Sequence, residues 1–347
     1  EEPNRISPPR DENGRVDLLR LLSKTDPGSL VLGCESNVVQ DTFADKVVEN
    51  RGSCCQNDMP QKVGFACKKG MKAKANTPNQ DNFLILRAGN IGCYGVFDGH
   101  GEHGHSVSSF VAPRVVQHFA CDPKFKENPQ NALRKAFSMA NDDLIQRTAT
   151  RKHMDCSLSG TTATLMIDLL SNNGEREFCI AHCGDSRAVL GYSSNNALMA
   201  TDLTIDHKPT LETEHDRIIA AGGAVRINNG DPHGRVFVMN TMHPGLAMSR
   251  AIGDTVAQSI GVICEPDVCV LKVQDNWRFV LLCSDGVWEF MSSEEAVNFV
   301  GQYMDKDKEA AANALALEAK TRWLNNEGNL VDDITVICIW LDQEGKL

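Results

Sequence analysis

Residues 94–104 read YGVFDGHGEHG, and residues 279–290 read FVLLCSDGVWEF. In each, a short apolar run ends on an aspartate followed at once by glycine. A run of this length, bounded by turn residues, marks a strand buried on both faces. Its last residue, Asp98 in one case and Asp285 in the other, therefore stands at a sheet rim on a rigid support. Two further segments repeat the arrangement. AHCGDSR at 181–187 sets Asp185 beside Gly184, and VDDITV at 331–336 places Asp332 and Asp333 just before an apolar strand. One Asp-Gly after a strand is ordinarily a turn in which the aspartate bonds its own backbone. Several such carboxylates at one rim would repel one another, and a hard divalent cation such as Mg2+ or Mn2+ relieves that repulsion.

Outward from these segments the chain keeps a sheet-rich pattern. Short apolar strands are predicted at Val63–Cys67, Phe83–Leu86, Ile91–Phe97, Thr161–Leu169, Phe178–Cys183, Ala188–Tyr192 and Ile334–Leu341. Helices fall between them. Val107, Phe110, Val111, Val115 and Phe119 recur at helical spacing, with Pro113 a candidate bend. Further helices are predicted at Asn131–Arg147, at Thr213–Ala221 ending on Gly222-Gly223, and at Ala310–Trp323. Ser292 or Ser293, followed by Glu294 and Glu295, should cap one more. Residues 1–60 mix Pro, Asn and charge and read as an N-terminal extension with one helix near Leu18–Leu22.

Composition narrows the function. The 347 residues carry 35 Lys plus Arg against 46 Asp plus Glu, a net charge of -11 that opposes binding to nucleic acid. The longest apolar runs fall short of the roughly 18 residues a membrane helix requires, so no membrane span is expected. Thirteen cysteines are scattered without CxxC pairs, which fits a reducing, intracellular setting, cytoplasmic or nuclear. Cys179 and Cys183 flank His182 in one predicted strand and read as buried thiols rather than ligands, and Cys54-Cys55 as thiols without a role. The N-terminus shows no charged-then-apolar leader, and because residue 1 is Glu the natural start is expected to be trimmed, so any acylation or targeting signal before it falls outside the sequence.

A rival motif occupies the first segment. Gly99, Gly101 and Gly104 satisfy GxGxxG, and Asp122 follows at the distance of a ribose-binding acid. Asp98 and Glu102 would set negative charge beside a pyrophosphate, however, and Asp122 lies in a Pro-containing loop rather than at the end of a second strand. A dinucleotide site is set aside on those grounds. Ser159 and Thr161 have no GxSxG elbow or ordered triad to activate them and read as structural.

DGHGEHG at 98–104, SGTTA at 159–163, GDSRAVL at 184–190, LAMSRAIGD at 246–254, EPDV at 265–268, CSDGVW at 283–288 and DDITV at 332–336 occur in the order seen in the type 2C metal-dependent protein phosphatases. The chain resembles that family from about residue 60 to its end. The resemblance implies an α+β fold, a four-layer α-β-β-α sandwich with two central antiparallel sheets and a metal site at the sheet rim. It also implies one catalytic domain over 61–347, with a flap beside the site at about 201–244.

Residue by residue, the resemblance implies that Asp98 bridges two metals, that Gly99 offers its carbonyl oxygen to one, and that Asp285 and Asp332 bind the other. Asp81 resembles the acid that holds metal-bound water, and Asp185 with Asp285 a weaker third-metal site. Glu289 stands where the family commonly has Asp, and Gln80 where many animal members have Glu. His100 resembles the general acid for the departing Ser or Thr oxygen. The family's phosphate-binding Arg is missing: Asn76 stands nearest its place, and Lys72, Lys74 or Lys69 would have to substitute. The implied reaction is hydrolysis of phosphoserine or phosphothreonine in protein substrates, by a water bridging two Mn2+ or Mg2+ ions and without a phosphoenzyme, in a monomer. The alternative is a pseudophosphatase kept as a regulatory or scaffolding module, which usually lacks one of the aspartates present here.

Overall fold

The computed structural model describes residues 30–34, 43–46, 48–50, 63–72, 77–88, 91–150, 154–170, 174–228 and 231–341. Its apolar runs build two antiparallel sheets. The larger contains β1 (Leu30–Cys34), β2 (Val48–Asn50), β4 (Asn82–Ala88), β5 (Ile91–Phe97), β8 (Ala163–Leu170), β9 (Arg176–Cys183) and β16 (Asp267–Lys272). Their spatial order is β16-β9-β8-β5-β4-β1-β2. The second contains β3 (Val63–Lys68), β10 (Arg187–Ser194), β11 (Ala197–Asp202), β17 (Trp277–Cys283) and β18 (Ile334–Trp340), in the order β11-β10-β17-β18-β3.

The sheets stack through one layer of side chains. Tyr94, Val96, Met166 and Ile180 from the larger sheet meet Val280, Leu282, Ile337 and Ile339 from the smaller. Each sheet's other face is covered by helices. Helices α1 (Gly104–Cys121) and α2 (Pro129–Thr150) set Val107, Val111, Phe137 and Leu144 against Phe97, Leu165 and Ile167. On the opposite side, α6 (Ser293–Gly301) and α7 (Lys308–Glu327) set Val297 and Leu315 against Leu281 and Val336. Central strands buried on both faces read as continuous apolar runs rather than alternating ones, which is why Phe279–Cys283 and Ile334–Trp340 stand out in sequence. The result is the four-layer α-β-β-α sandwich expected.

Local chemistry sets the boundaries. Ser292 and Glu295 form a reciprocal capping box at the start of α6. Helix α1 runs unbroken through Pro113. The single strand expected at Thr161–Leu169 is instead two, β7 (Gly160–Thr161) and β8, because Thr162 between them bonds the residue at the end of β5. Its N–H donates to the Asp98 carbonyl at 2.8 Å, and its hydroxyl accepts from the Asp98 N–H at 3.0 Å.

Two smaller sheets complete the rim. One joins β7 to β6 (Gly99–His100) and β15 (Ile252–Gly253), which leads into the one-turn helix α4 (Thr255–Gln258). The other, β12 (Gly223–Asn228), β13 (Asp231–Val238) and β14 (Pro244–Leu246), follows helix α3 (Glu212–Ala220). This second sheet and helix share their own small core of Ile218, Val236, Leu246, Met248 and Val262. Residues 30–34 and 48–50 lie in the stretch read from sequence as an extension, and β1 pairs directly with β4. The helix expected near Leu18–Leu22 lies outside the described residues, as do Cys54 and Cys55. Among the described residues no helix is long and apolar enough to cross a membrane.

Candidate active site

Three strand ends bring acids to one rim. Asp98 leaves β5, Asp285 opens the one-turn helix α5 (Asp285–Trp288) after β17, and Asp332 with Asp333 precedes β18. The turn after Asp98 is too tight for a side chain. A Cβ on Gly99 would lie 2.4 Å from the Gly104 carbonyl oxygen and 2.6 Å from that of Gln80. Gln80 ties the same turn from outside: its amide donates to the Gly101 carbonyl at 2.5 Å, and its own carbonyl accepts from Ser108 at 2.7 Å.

Asp81 lies beneath this rim, fully buried. One of its carboxylate oxygens accepts from both Ser284 Oγ and Thr335 Oγ1, each at 2.7 Å. Its backbone carbonyl accepts from the buried ammonium of Lys46, which also donates to the Asn79 carbonyl at 3.0 Å. Asp333, also buried, accepts from the Gly70 N–H at 2.7 Å, the Gln80 N–H at 2.9 Å and Lys72 Nζ at 2.7 Å. Asp332 is more open and shares the Lys72 ammonium at 3.0 Å.

Crowding shows in the proton affinities. Burial, then the charge of Asp285, followed by those of Asp81 and Asp332, raises the Asp98 carboxyl well above the ordinary carboxylate range. Burial, then Asp332 and Asp185, does the same to Asp285. Burial and the Asp333 charge push Asp81 up to about 6 despite its two hydroxyl donors. Asp285 Oδ1 is buried with no hydrogen-bond partner among the described residues, and so is Asp185 Oδ1. All-oxygen donors, mutual repulsion and unpartnered buried oxygens fit hard divalent cations. These residues fit the metals that the sequence implies.

The remaining candidates are placed as follows. Asp185 is buried, and its other oxygen accepts from Lys208 Nζ at 2.6 Å. Glu289 is exposed at the end of α5, and no described contact ties its carboxylate to Asp185 or Asp285. Lys72 reaches the rim but is held by Asp332 and Asp333, whose charges outweigh the effect of burial and raise its pKa. Lys69 is buried. Lys74 and Asn76 lie outside the described residues. His100 Nε2 is 2.5 Å from Asp254 Oδ2. Burial lowers the His100 pKa, but the Asp254 charge and hydrogen bond prevail and raise it.

Among the described residues, one His/Asp group away from these acids has metal-like spacing. His182, His207 and Asp267 offer atoms within 4.8 Å of one another, and the two rings stack at 4.1 Å. Hydrogen bonds already use the ring nitrogens. His182 Nε2 donates to the Ile205 carbonyl at 2.7 Å. His207 Nδ1 accepts from the Gly184 N–H at 3.1 Å, which leaves the proton on Nε2 facing Asp267 at 3.2 Å. Cys179 and Cys183 point to the opposite, helix-covered face, as expected of core thiols.

A family model described as protein phosphatase 2C matches residues 62–327. The chain belongs to the protein phosphatase 2C family. Curated relatives agree. It is 37% identical over 286 residues to the Arabidopsis thaliana probable protein phosphatase 2C 35, covering 75% of this chain and 78% of that protein. It is 34% identical over 324 residues to probable protein phosphatase 2C 65 of the same plant, covering 88% and 81%. The fold is similar to a crystal structure of serine-threonine phosphatase 2C from Toxoplasma gondii, with a TM-score of 0.67 at 22% identity over 80% of this chain and 94% of that one.

This protein phosphatase 2C is thus a protein-serine/threonine phosphatase of a metal-dependent family, with phosphoproteins as substrates. Its wholly antiparallel central sheets exclude the parallel βαβ unit that GxGxxG requires, and Asp122 ends α1 in a turn, its Oδ1 accepting from the Lys124 N–H at 2.9 Å. Sequence reasoning did not single out Lys46, Ser284, Thr335 or Asp254 as parts of the phosphatase site. For Asp254 a signal was present, since LAMSRAIGD is itself one of the family's motifs. For Lys46 there was none.

Proposed function

We propose that this phosphatase hydrolyses phosphoserine and phosphothreonine with two Mn2+ or Mg2+ ions held by Asp98, the Gly99 carbonyl, Asp285 and Asp332. The observation that carries the reading is the convergence of half-buried Asp98, Asp285 and Asp332 with buried Asp81 and Asp333 at one rim, with Asp98 and Asp285 raised well above the carboxylate range and Asp285 Oδ1 left without a partner among the described residues. When bound, such ions would supply Lewis-acid charge for the phosphate oxygens and lower the pKa of a water enough for it to serve as the nucleophile.

The chain's own residues do the rest. Asp81, held by Ser284 and Thr335, orients solvent beneath the ligands. Ion-paired to Asp332 and Asp333, Lys72 presents a positive charge at the rim for the incoming phosphate, as a point charge rather than an Arg fork. His100 gives a proton to the departing serine or threonine oxygen, a role typically worth about 10²- to 10⁴-fold. Asp185 with Asp285 forms a weaker third site in which the exposed Glu289 takes the place of the family's Asp, and Lys208 is the counter-charge of Asp185. The catalytic unit spans 61–347, with Leu30–Cys34 and Val48–Asn50 adding strands to its sheet edge and 201–244 serving as a flap.

The test is release of phosphate from a phosphothreonine peptide in Mn2+ or Mg2+. Turnover should vanish in EDTA and fall at least about 10³-fold in Asp98→Ala, as expected when a ligand of the catalytic charge is lost. A folded protein that binds Mn2+ yet releases no phosphate from any phosphopeptide overturns the enzymatic reading in favour of a scaffold.

A further inference from the structure

His100 is held from one side only. Its Nε2 meets Asp254 Oδ2 at 2.5 Å, whereas its Nδ1 is buried and has no hydrogen-bond partner among the described residues. Asp254 is itself buried and comes from the distant 246–254 segment, 154 residues along the chain. The backbone there is shaped for this contact. Asp254 sits at φ 50°, in the left-handed region that a non-glycine residue occupies at a cost, and its N–H donates to the Ser159 carbonyl at 3.0 Å. Gly160 lies against the pair: a Cβ on it would fall 2.0 Å from Asp254 Oδ2 and 2.8 Å from His100 Nε2. A glycine without a side chain and a strained aspartate thus converge on one hydrogen bond.

We propose that Asp254 is the positioning residue for His100, and that Nδ1 is the atom that delivers the proton. The inference rests on the general-acid role of His100 given above. An aspartate that accepts from Nε2–H fixes the ring's orientation and leaves the opposite nitrogen for the substrate. In the step, the P–O bond to the substrate breaks, its electron pair passes to the departing serine or threonine oxygen, and that oxygen takes the proton from Nδ1. The ring is left neutral with its remaining proton on Nε2, still bonded to Asp254, and solvent restores the other proton.

The test compares Asp254→Asn, His100→Ala and the double variant of the full chain, with kcat/KM measured for a phosphothreonine peptide and for p-nitrophenyl phosphate. An aryl leaving group departs with little protonation, so a positioning defect weighs on the peptide, whereas a structural defect lowers both. Asp254→Asn should cut the peptide rate about 10²-fold and the peptide-to-aryl ratio at least tenfold, and the double variant should have the same ratio as His100→Ala. Equal losses on both substrates, or losses that multiply in the double variant, overturn the inference. A His100→Ala enzyme with an unchanged ratio overturns the general-acid reading first. Independently of any variant, at a pH high enough for the ring to lose its charge, the imidazole nitrogen resonances of the wild-type protein should show neutral His100 protonated on Nε2, and a neutral ring with its single proton on Nδ1 would sink the proposal.

Discussion

Replacing Asp81 by Asn should stabilise the metal-free protein, and by an amount that depends on pH. Burial and the Asp333 charge raise the Asp81 carboxyl from its ordinary 3.8 to about 6. The folded state therefore binds this proton more tightly than the unfolded chain, and stability falls as pH rises from about 4 through 6. The rise amounts to about 3 kcal/mol, at about 1.36 kcal/mol per tenfold change in proton affinity. Asn stands in for the neutral acid, and its amide oxygen can still accept from Ser284 and Thr335, since both hydroxyls converge on a single oxygen of Asp81. In EDTA, urea unfolding at a series of pH values should show variant and wild type alike near pH 4, with Asn ahead by up to about 3 kcal/mol at pH 7. Millimolar Mg2+ should shrink that gain by neutralising the surrounding acids. Phosphatase turnover should fall in the same variant. A difference that is flat with pH, or that favours Asp at pH 7, would refute the account of the site as a set of crowded carboxylates.

Two other perturbations separate neighbouring interactions. Lys208→Met leaves the buried Asp185 carboxylate without its 2.6 Å partner, which should cost the metal-free protein about 3–5 kcal/mol in urea unfolding. Mn2+ should restore most of the loss by replacing the ammonium, and a deficit unaffected by Mn2+ would count against a cation site at Asp185. Glu214 in helix α3 accepts from Arg217 at 2.7 Å, Ser249 at 2.6 Å and Arg250 at 2.7 Å. Its pKa is lowered to about 2 by these bonds, which outweigh burial. Its charge therefore stabilises the fold above about pH 4.5 and ceases to do so as pH falls through 2, so Glu214→Gln should lose about 3 kcal/mol at pH 7 and progressively less in acid. Thermal unfolding across that range checks the sign.

The parts of this fold legible in sequence are those where one physical demand fills a whole segment. Ile91–Phe97, Phe279–Cys283 and Ile334–Trp340 must be apolar throughout because they are covered on both faces, and α1 must repeat apolar residues on its one covered face. Edge strands carry no such demand. Ala197–Asp202 and Asp267–Lys272 lie at sheet margins, mostly exposed or half-buried, and their short alternating patterns are as compatible with a loop. Strands β12, β13 and β14 are harder still, since their core is a handful of residues drawn from segments on either side of them.

Strand-end aspartates were visible for a related reason: a carboxylate directly after a buried run has a fixed place, whatever lies around it. What holds those carboxylates in register had no local signature. Asp81 is bonded by side chains 203 and 254 residues away, and His100 by one 154 residues away. Ser284 and Thr335 each flank a rim acid by a few residues at most, so the two segments that deliver Asp285 and Asp332 also clamp Asp81 beneath them. That coupling gives the site a preformed geometry before any cation arrives. It also makes the cations matter to stability, because the clamp holds like charges together that would otherwise separate. The same arrangement explains why Lys46 and Lys72 lie where they do. One secures the backbone of Asp81 from below, and the other neutralises Asp332 and Asp333 from the side, so a neutral residue in either place should loosen the acids of the proposed metal site.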